Sequence, residues 1–340
     1  MSAPRVLDLP GPPRERGAAH GEAQRDVFAA AIDRWYDSLP AADPREWVRE
    51  FLAATDFRPA FSKWTPDLLD EIAGIAHGAG IDEVTAFAYQ LVDEQWCYAR
   101  VEADHCSVVG SAGLIAQNLD LPDWWNGSQV VLRVPAWQDQ PGFACLTGAG
   151  FLAMNGINDE GVAVVVNALP DVPSASAGLP VVAGIRGVLA RRDAPTAGAF
   201  LREVDHASGQ HYLVGDASSI VALECDAEGV ADAPACDGVV VHTNHAVARP
   251  SMFAEWGDVA AGALANSTAR LDFLAESPPP TGVDDIKKIL SDETVPIRRV
   301  PTEISPASTF ASTIFELSDP PALHVRGGTG ETEFYRVSVS

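Results

Sequence analysis

Between Cys106 and His245 the chain carries eight short β-type runs, CSVVG, LIAQNL, SQVVLRV, FACLTG, GVAVVVNAL, QHYLVG, SIVALEC and GVVVHTNH, each bounded by turn residues. The stretch before them reads mainly as helix: GEAQRDVFAAAIDRWYDSL, PREWVREFLAAT and TPDLLDEIAGIAHGAG space their apolar residues three and four apart. Asp43-Pro44 and Thr65-Pro66 mark helix starts, and Gly78 and Gly80 mark a stop. Strands gathered in one block with helices on either side favour an α+β sandwich over alternating βαβ units. Within the block, PVVAGIRGVLARRDAPTAGAFLREV reads as two helices, and Asn158-Asp159-Glu160-Gly161 as a hairpin turn feeding a strand that ends at Asn167. After His245 the signals weaken to a loop, SPPPTG, a short helix, VDDIKKIL, and two strand-like pieces, STIFEL and ALHVRG. With no internal repeat and no long low-complexity linker, one structural domain is expected.

Composition removes several function classes. A formal net charge of -24 over 340 residues excludes a protein that reads phosphates, because nucleic-acid binding needs clustered Lys and Arg to displace counterions. No membrane span is visible, and the opening MSAPRVLDLPGPPRERGAAHGE lacks the basic and then apolar run of a secretory signal, so a cytoplasmic protein is expected. Cys97, Cys106, Cys145, Cys225 and Cys236 are odd in number and scattered, unlike a disulfide framework. Neither GxxxxGK[ST], nor a GxGxxG between strand and helix, nor GxSxG occurs. His242 and His245 in HTNH have a metal-clip spacing but no third clustered ligand, so no metal and no cofactor are expected.

The stretch DHCSVVGSAGLIAQNLD reads as a tight hairpin: two apolar runs flank Gly110-Ser-Ala-Gly113. With Ser111 and Ala112 as a two-residue loop, Cys106 stands across from Gln117, and Asp120 lies just past it, near the Cys106 backbone nitrogen. A lone cysteine is by default a buried structural residue. Here the context reverses that reading, because Cys106 heads the β-rich half, follows polar Asp104 and His105, and faces a carboxylate. Such a cysteine suits a nucleophile whose base is its own α-amino group, freed by cutting the preceding peptide bond.

These residues carry a resemblance. The chain resembles the acyl-coenzyme A:6-aminopenicillanate acyltransferase family of N-terminal-nucleophile (Ntn) hydrolases, which includes amidases that release β-alanyl groups from amines. GPPRERGAAHGEAQR is similar to the family's opening segment and DLLDEIAGIAHGAG to its helix ahead of the nucleophile. HCS followed by AQNLD is similar to its Cys-to-Asn-x-Asp hairpin, and GFLAMNGINDEGVAVVVNAL and HTNH resemble later strands. The resemblance implies a four-layer αββα fold made as a precursor that cuts itself between His105 and Cys106. Residues 1–105 would then persist as a helical α chain associated with a catalytic β chain, 106–340. It further implies Cys106 as nucleophile, Asp120 as the group that orients the new amine, Asn244 as oxyanion donor and Asn167 as a second active-site asparagine. His105 departs from the glycine that the penicillin acyltransferases carry there.

The chemistry is consistent with those roles. A free α-amino group titrates near about 7.7–8.0, so it can take the thiol proton and return it to a leaving amine, which an amide nitrogen cannot do. A neutral carboxamide such as that of Asn244 suits a developing oxyanion, although a turn residue after a strand would look the same. Gln117, Trp124 and Trp125 are candidate pocket residues; aromatics folded back onto the core would also fit Trp124 and Trp125. Arg186 reads as a surface or interlayer ion-pair residue, and Arg298, Arg299, Thr309 and Ser312 fall where the family keeps further pocket residues. The expected activity is hydrolysis of a small N-acyl or N-aminoacyl amine through an acyl-Cys106 thioester. The alternative within the enzyme class is acyl transfer from a thioester such as acyl-coenzyme A, and outside it a silent, uncleaved binding protein.

Overall fold

The computed structural model describes residues 5–100, 106–252, 258–295, 297–301, 307–328, 330 and 332–339. A short strand, β1 (Arg5–Asp8), precedes α1 (Pro13–Ala23), α2 (Arg25–Ser38), α3 (Pro44–Ala54), α4 (Arg58–Trp64), α5 (Asp67–Ala79), α6 (Glu83–Tyr89) and α7 (Val92–Ala99). Local chemistry sets several of these ends. The Asp43 carboxylate accepts from the Arg45 and Glu46 N–H groups ahead of α3, with Pro44 in the first turn, where its missing N–H costs nothing. Asp82 caps α6 through the Thr85 N–H, and Gly80 stops α5 in a left-handed conformation at φ 75°.

Helices α1 and α5 cross backbone to backbone. A Cβ on Gly78 would stand 2.0 Å from the Ala18 carbonyl oxygen, and one on Gly17 would stand 2.1 Å from that of Glu71. Gly78→Ala must therefore push the helices apart, and we expect a loss of about 1–3 kcal/mol in denaturant unfolding. An unchanged midpoint would show that the crossing relaxes freely.

The close crossing seats Glu71 between two guanidiniums. Arg16 Nε donates to its Oε2 at 2.7 Å, while Arg186 donates through Nη1 and Nη2 to its two oxygens at 2.8 and 2.9 Å. All three side chains are buried. Burial alone would raise the Glu71 carboxyl; the two arginines override it and hold it at about 2. Arg186 is thus no surface residue but the strut between α5 and the helix layer over the sheet.

The β-rich half begins with β2 (Ser107–Ser111) and β3 (Leu114–Leu121), followed by β4 (Gln129–Val134), β5 (Phe143–Gly148), β6 (Asn155–Asn158) and β7 (Ala163–Ala168). After α8 (Val181–Leu189) and α9 (Ala194–Glu203) come β8 (Gln210–Gly215), β9 (Ile220–Asp226), β10 (Gly229–Asp232) and β11 (Val239–His242). The chain closes with α10 (Asp258–Glu276), α11 (Val283–Ile289), β12 (Ser308–Glu316), β13 (Ala322–Gly327) and β14 (Tyr335–Ser338). One sheet runs β1-β4-β5-β6-β7-β8-β9-β10 and the other β11-β2-β3-β12-β13-β14. Only β1 and β4 pair in parallel among the described strands.

The sheets face each other through β2 and β3 against β7 and β8, with α8 and α9 outside one and α10 and α11 outside the other. This is the α+β, four-layer αββα sandwich. Gly110 on β2 has no room for a Cβ, which would lie 2.9 Å from a Leu213 methyl of the opposite sheet.

The β2–β3 register corrects the sequence reading. Ser111 pairs with Leu114 and Ser107 with Asn118, so the loop is Ala112-Gly113 rather than Ser111-Ala112. Gly113 explains the choice: the second loop position takes φ 88°, which only glycine adopts cheaply. Extended by one step, this register sets Cys106 beside Leu119 instead of Gln117. The slip is two residues, so every side chain keeps its expected face.

Candidate active site

Cys106 immediately precedes β2 and is 4% exposed. In register with Val108 and Gly110, it belongs to the face of β2 turned toward the other sheet. That sheet is open nearby: β6 and β7 pair only at Gly156 with Val164 and Ile157 with Ala163. Beyond those pairs the strands part, leaving an apolar slot lined by Cys106, Leu119, Leu121, Trp125, Met154 and Val166, among others. The slot offers about 50 Å³ of water-accessible space.

Asp120 projects from the opposite face of β3. It is fully buried, and its Oδ1 accepts from the Thr309 hydroxyl at 2.6 Å while Oδ2 has no partner among the described residues. Burial pushes its carboxyl up to about 7, against the opposing pull of the Thr309 hydrogen bond and the Arg270 charge. The Cys106 thiol lies 3.8 Å from the Asp120 carbonyl oxygen.

Arg270, on α10, is a site residue that sequence reasoning missed. It is fully buried, and burial lowers its guanidinium to about 10. Its Nη1 donates to the Cys106 carbonyl at 2.6 Å and to the Ser107 hydroxyl at 3.0 Å; its Nη2 donates to Asn244 Oδ1 at 3.1 Å. One side chain thus holds both the residue carrying the thiol and the carboxamide after β11. With its oxygen fixed, Asn244 turns its NH2 group toward β7, where it donates to the Ala168 carbonyl at 3.1 Å.

Asn167 and His211 occupy paired positions on β7 and β8, and the His211 Nδ1 lies 3.1 Å from Asn167 Oδ1. The Asn167 Nδ2 and His211 Nε2 atoms are buried without partners among the described residues. Burial, and then the neighbouring His242, keep His211 well below the usual histidine value, hence neutral at pH 7. Its ring stacks on His242 at 3.8 Å and 4°. His242 in turn contacts the Glu224 carboxylate at 2.9 Å, which also accepts the N–H groups of Val247, Ala248 and Arg249.

Other sequence candidates fall differently. Gln117 bridges the sheets instead of walling the slot: it donates to the Val166 carbonyl and accepts from Asn155 at 2.8 Å. Trp125 does wall the slot, whereas Trp124 stacks on it at 4.4 Å and faces Tyr89. Thr309 joins the site through Asp120; Ser312 accepts from Arg326, and Arg298 pairs with Glu293. Arg299 donates its backbone N–H to the Thr309 hydroxyl. His245 lies against the Ser267 hydroxyl at 2.8 Å. The expected scissile bond after His105 lies outside the described residues. Among the described residues no group of three His, Cys, Asp or Glu side chains gathers as a metal site would, and no helix is long and apolar enough to cross a membrane.

Comparison with known proteins shows what the chain is similar to. The chain is 28% identical over 247 residues to the 40 kDa form of acyl-coenzyme A:6-aminopenicillanic-acid-acyltransferase from Emericella nidulans, covering 69% of this chain and 67% of that one. Among solved structures it is similar to a mutant conjugated bile acid hydrolase from Clostridium perfringens, at 11% identity and TM-score 0.49, over 69% of this chain and 92% of that one. It is also similar to the Caenorhabditis elegans orthologue of N-acylethanolamine-hydrolyzing acid amidase, at 16% identity and TM-score 0.46, over 62% and 92%. The sequence profile of acyl-coenzyme A:6-aminopenicillanic acid acyl-transferase matches residues 108–322, and with it the chain belongs to that family of Ntn hydrolases.

Proposed function

We propose that this protein is a self-processing cysteine amidase that hydrolyses a small N-acyl or N-aminoacyl amine. The observation that carries the reading is the pairing of a buried thiol at the lip of β2, in an apolar slot, with a buried carboxylate on the adjoining strand whose Oδ2 has no partner among the described residues. In activation the Cys106 sulfur attacks the carbonyl of His105 and the amide nitrogen leaves as the Cys106 amine, giving a thioester. Water then releases residues 1–105 and regenerates the thiol. In turnover the freed amine takes the thiol proton as sulfur attacks the substrate carbonyl, and passes it to the departing amine. Asp120 holds that amine as an ammonium, and the amides of Asn244 and Asn167 receive the oxyanion.

The α and β chains stay associated in this account. Support comes from β1, which completes a sheet beside β4, and from Glu71, which lies on the α side and is clasped by Arg186 on the β side. Five cysteines, odd in number and scattered along the chain, suit a reducing compartment, which we take to be the cytoplasm. Acyl transfer is the second reading, favoured by the Emericella relative. The strongly acidic chain favours water over a phosphate-bearing acyl-coenzyme A donor.

Two variants test the roles. Asn244→Ala should lower kcat by about 100- to 1,000-fold with the protein still processed; a change below about threefold would remove Asn244 from the oxyanion. Asp120→Asn should lower turnover far more than stability, and unchanged turnover of fully processed protein would remove it from the site. In the uncut chain the raised Asp120 value makes ionisation unfavourable. Its contribution to stability is complete below the ordinary 3.8 and is lost as pH rises toward 7. In an uncleavable Cys106→Ala background, Asp120→Asn should therefore gain relative stability between pH 4 and pH 8 by thermal unfolding. A gap that stays flat with pH would contradict the buried, amine-less carboxylate.

A further inference from the structure

A cavity of about 210 Å³ lies where α1, the start of α5 and the end of α8 meet, and it shares no lining residue with the Cys106 slot. Three of its lining residues are arginines, Arg16, Arg186 and Arg191, in a chain whose net charge is -24. The first two are buried and serve Glu71. Arg16 reaches that carboxylate through Nε and Nη2, so its Nη1 keeps its donors unspent among the described residues. Arg191 is half-buried and makes neither an ion pair nor a side-chain hydrogen bond among the described residues; its guanidinium lies 4.4 Å from the Phe200 ring centroid. Burial lowers that guanidinium, and the charge of Glu203 opposes the effect. Beside them Thr65, just ahead of α5, carries a buried hydroxyl without a partner among the described residues.

The charges here do not cancel. Three guanidiniums stand against two carboxylates: Glu71, which both buried arginines share, and Asp67 on the cavity wall, which accepts from Gln140 at 3.4 Å. One positive charge is left over, on a guanidinium that has lost part of its water. A carboxylate supplies what these residues lack: one negative charge, two planar oxygens matched to a guanidinium fork, and an acceptor for the Thr65 hydroxyl. The rest of the wall is largely apolar, with Leu68, Phe143 and Leu189 buried and Trp64 beside them. We propose that this cavity binds a small carboxylate with an apolar body, its head on Arg191, Arg16 and Thr65 and its body against Trp64 and Leu189. Arg16 and Thr65 precede Cys106 in the chain while Arg186 and Arg191 follow it, so the ligand bridges the two sides of the expected cut. The inference is independent of the amidase reading and of the chemistry at Cys106.

The probe is benzoate, with benzamide as its neutral isostere and inorganic phosphate as an anion without an apolar body. By calorimetry on the purified wild-type protein, benzoate should bind with a Kd of about 1 mM or below, and at least about tenfold more tightly than benzamide or phosphate. Arg191→Gln should weaken benzoate by about tenfold or more and leave benzamide within about twofold. Thr65→Val, which keeps the volume, should weaken benzoate by about threefold or more. Photolabelling with 4-azidobenzoate places the site: adducts should map to the peptides around Thr65 and Arg191, excess benzoate should suppress them, and Cys106→Ala should retain them. Absence of benzoate binding would overturn the proposal. So would benzamide or phosphate binding as tightly as benzoate, the first leaving an apolar pocket and the second a plain anion hole. Adducts confined to peptides lining the Cys106 slot would overturn the location. Unchanged benzoate affinity in Arg191→Gln would reduce the arginine to a surface residue and overturn the proposal, whatever the protein's activity on amides.

Discussion

Cys106→Ala should leave a single full-length chain after prolonged incubation, with amide turnover reduced by at least about 10⁴-fold, while the wild type separates into residues 1–105 and 106–340. Both losses come from one atom, because the sulfur that attacks the His105 carbonyl is the sulfur that attacks the substrate. Removing a thiol from a slot of about 50 Å³ takes away little volume, so the variant should fold and unfold nearly as the wild type does. Cys106→Ser supplies a slower nucleophile at the same place and should process partially. Denaturing gels and intact masses read the outcome. Cleavage persisting in Cys106→Ala would assign the cut to another group or to a contaminating protease. An uncut but active wild type would remove the amine from the mechanism.

The largest stability effect should come from Glu71→Gln. The substitution leaves two buried guanidiniums, Arg16 and Arg186, facing a neutral amide, and breaking a buried pair of this kind costs about 3–5 kcal/mol. Because the triad ties the α side to the β side, the cost should appear as easier separation of the processed chains as well as a lower unfolding midpoint. The pH sign follows from the depressed value: the contribution is complete above the ordinary 4.5 of a glutamate and is lost as pH falls toward 2. The gap between wild type and variant should therefore close over that range. Replacing Arg16, Glu71 and Arg186 together by apolar residues should cost much less than Glu71→Gln, because no unpaired charge remains. A loss below about 1 kcal/mol for Glu71→Gln would mean that water solvates the arginines.

How much of this was legible in the sequence depended on the range of the interaction. The ends of α3 and α5 could be read because Asp43-Pro44 and Gly80 act within one turn. The faces of the Cys106 hairpin were readable through period-two alternation, which survived an error in the loop; Gly113, not Ser111, determines the turn. Strand β1 escaped because RVLD is four residues long and gains its register only from β4, more than a hundred residues later. Helix α10 escaped because DVAAGALANSTARLDFLAE has no clean apolar stripe. Arg270 was lost with it, since nothing local connects that arginine to a cysteine 164 positions earlier. Asp120 was singled out by its place in the hairpin, and its role and Asn244 came from the family pattern; the Thr309, Arg270 and His211 contacts around the site arise only when the two sheets and α10 meet.

The central claim is that Cys106 acts as an amino-terminal residue and carries the acyl group. Acid-quenching the wild type during turnover of an N-acyl amine, followed by peptide mass spectrometry, tests it directly. The account predicts a peptide that begins at Cys106, has a free α-amine and bears the substrate's acyl mass as a hydroxylamine-labile thioester. An acyl adduct on any other residue, or a Cys106 peptide still joined to His105 in active protein, would contradict it.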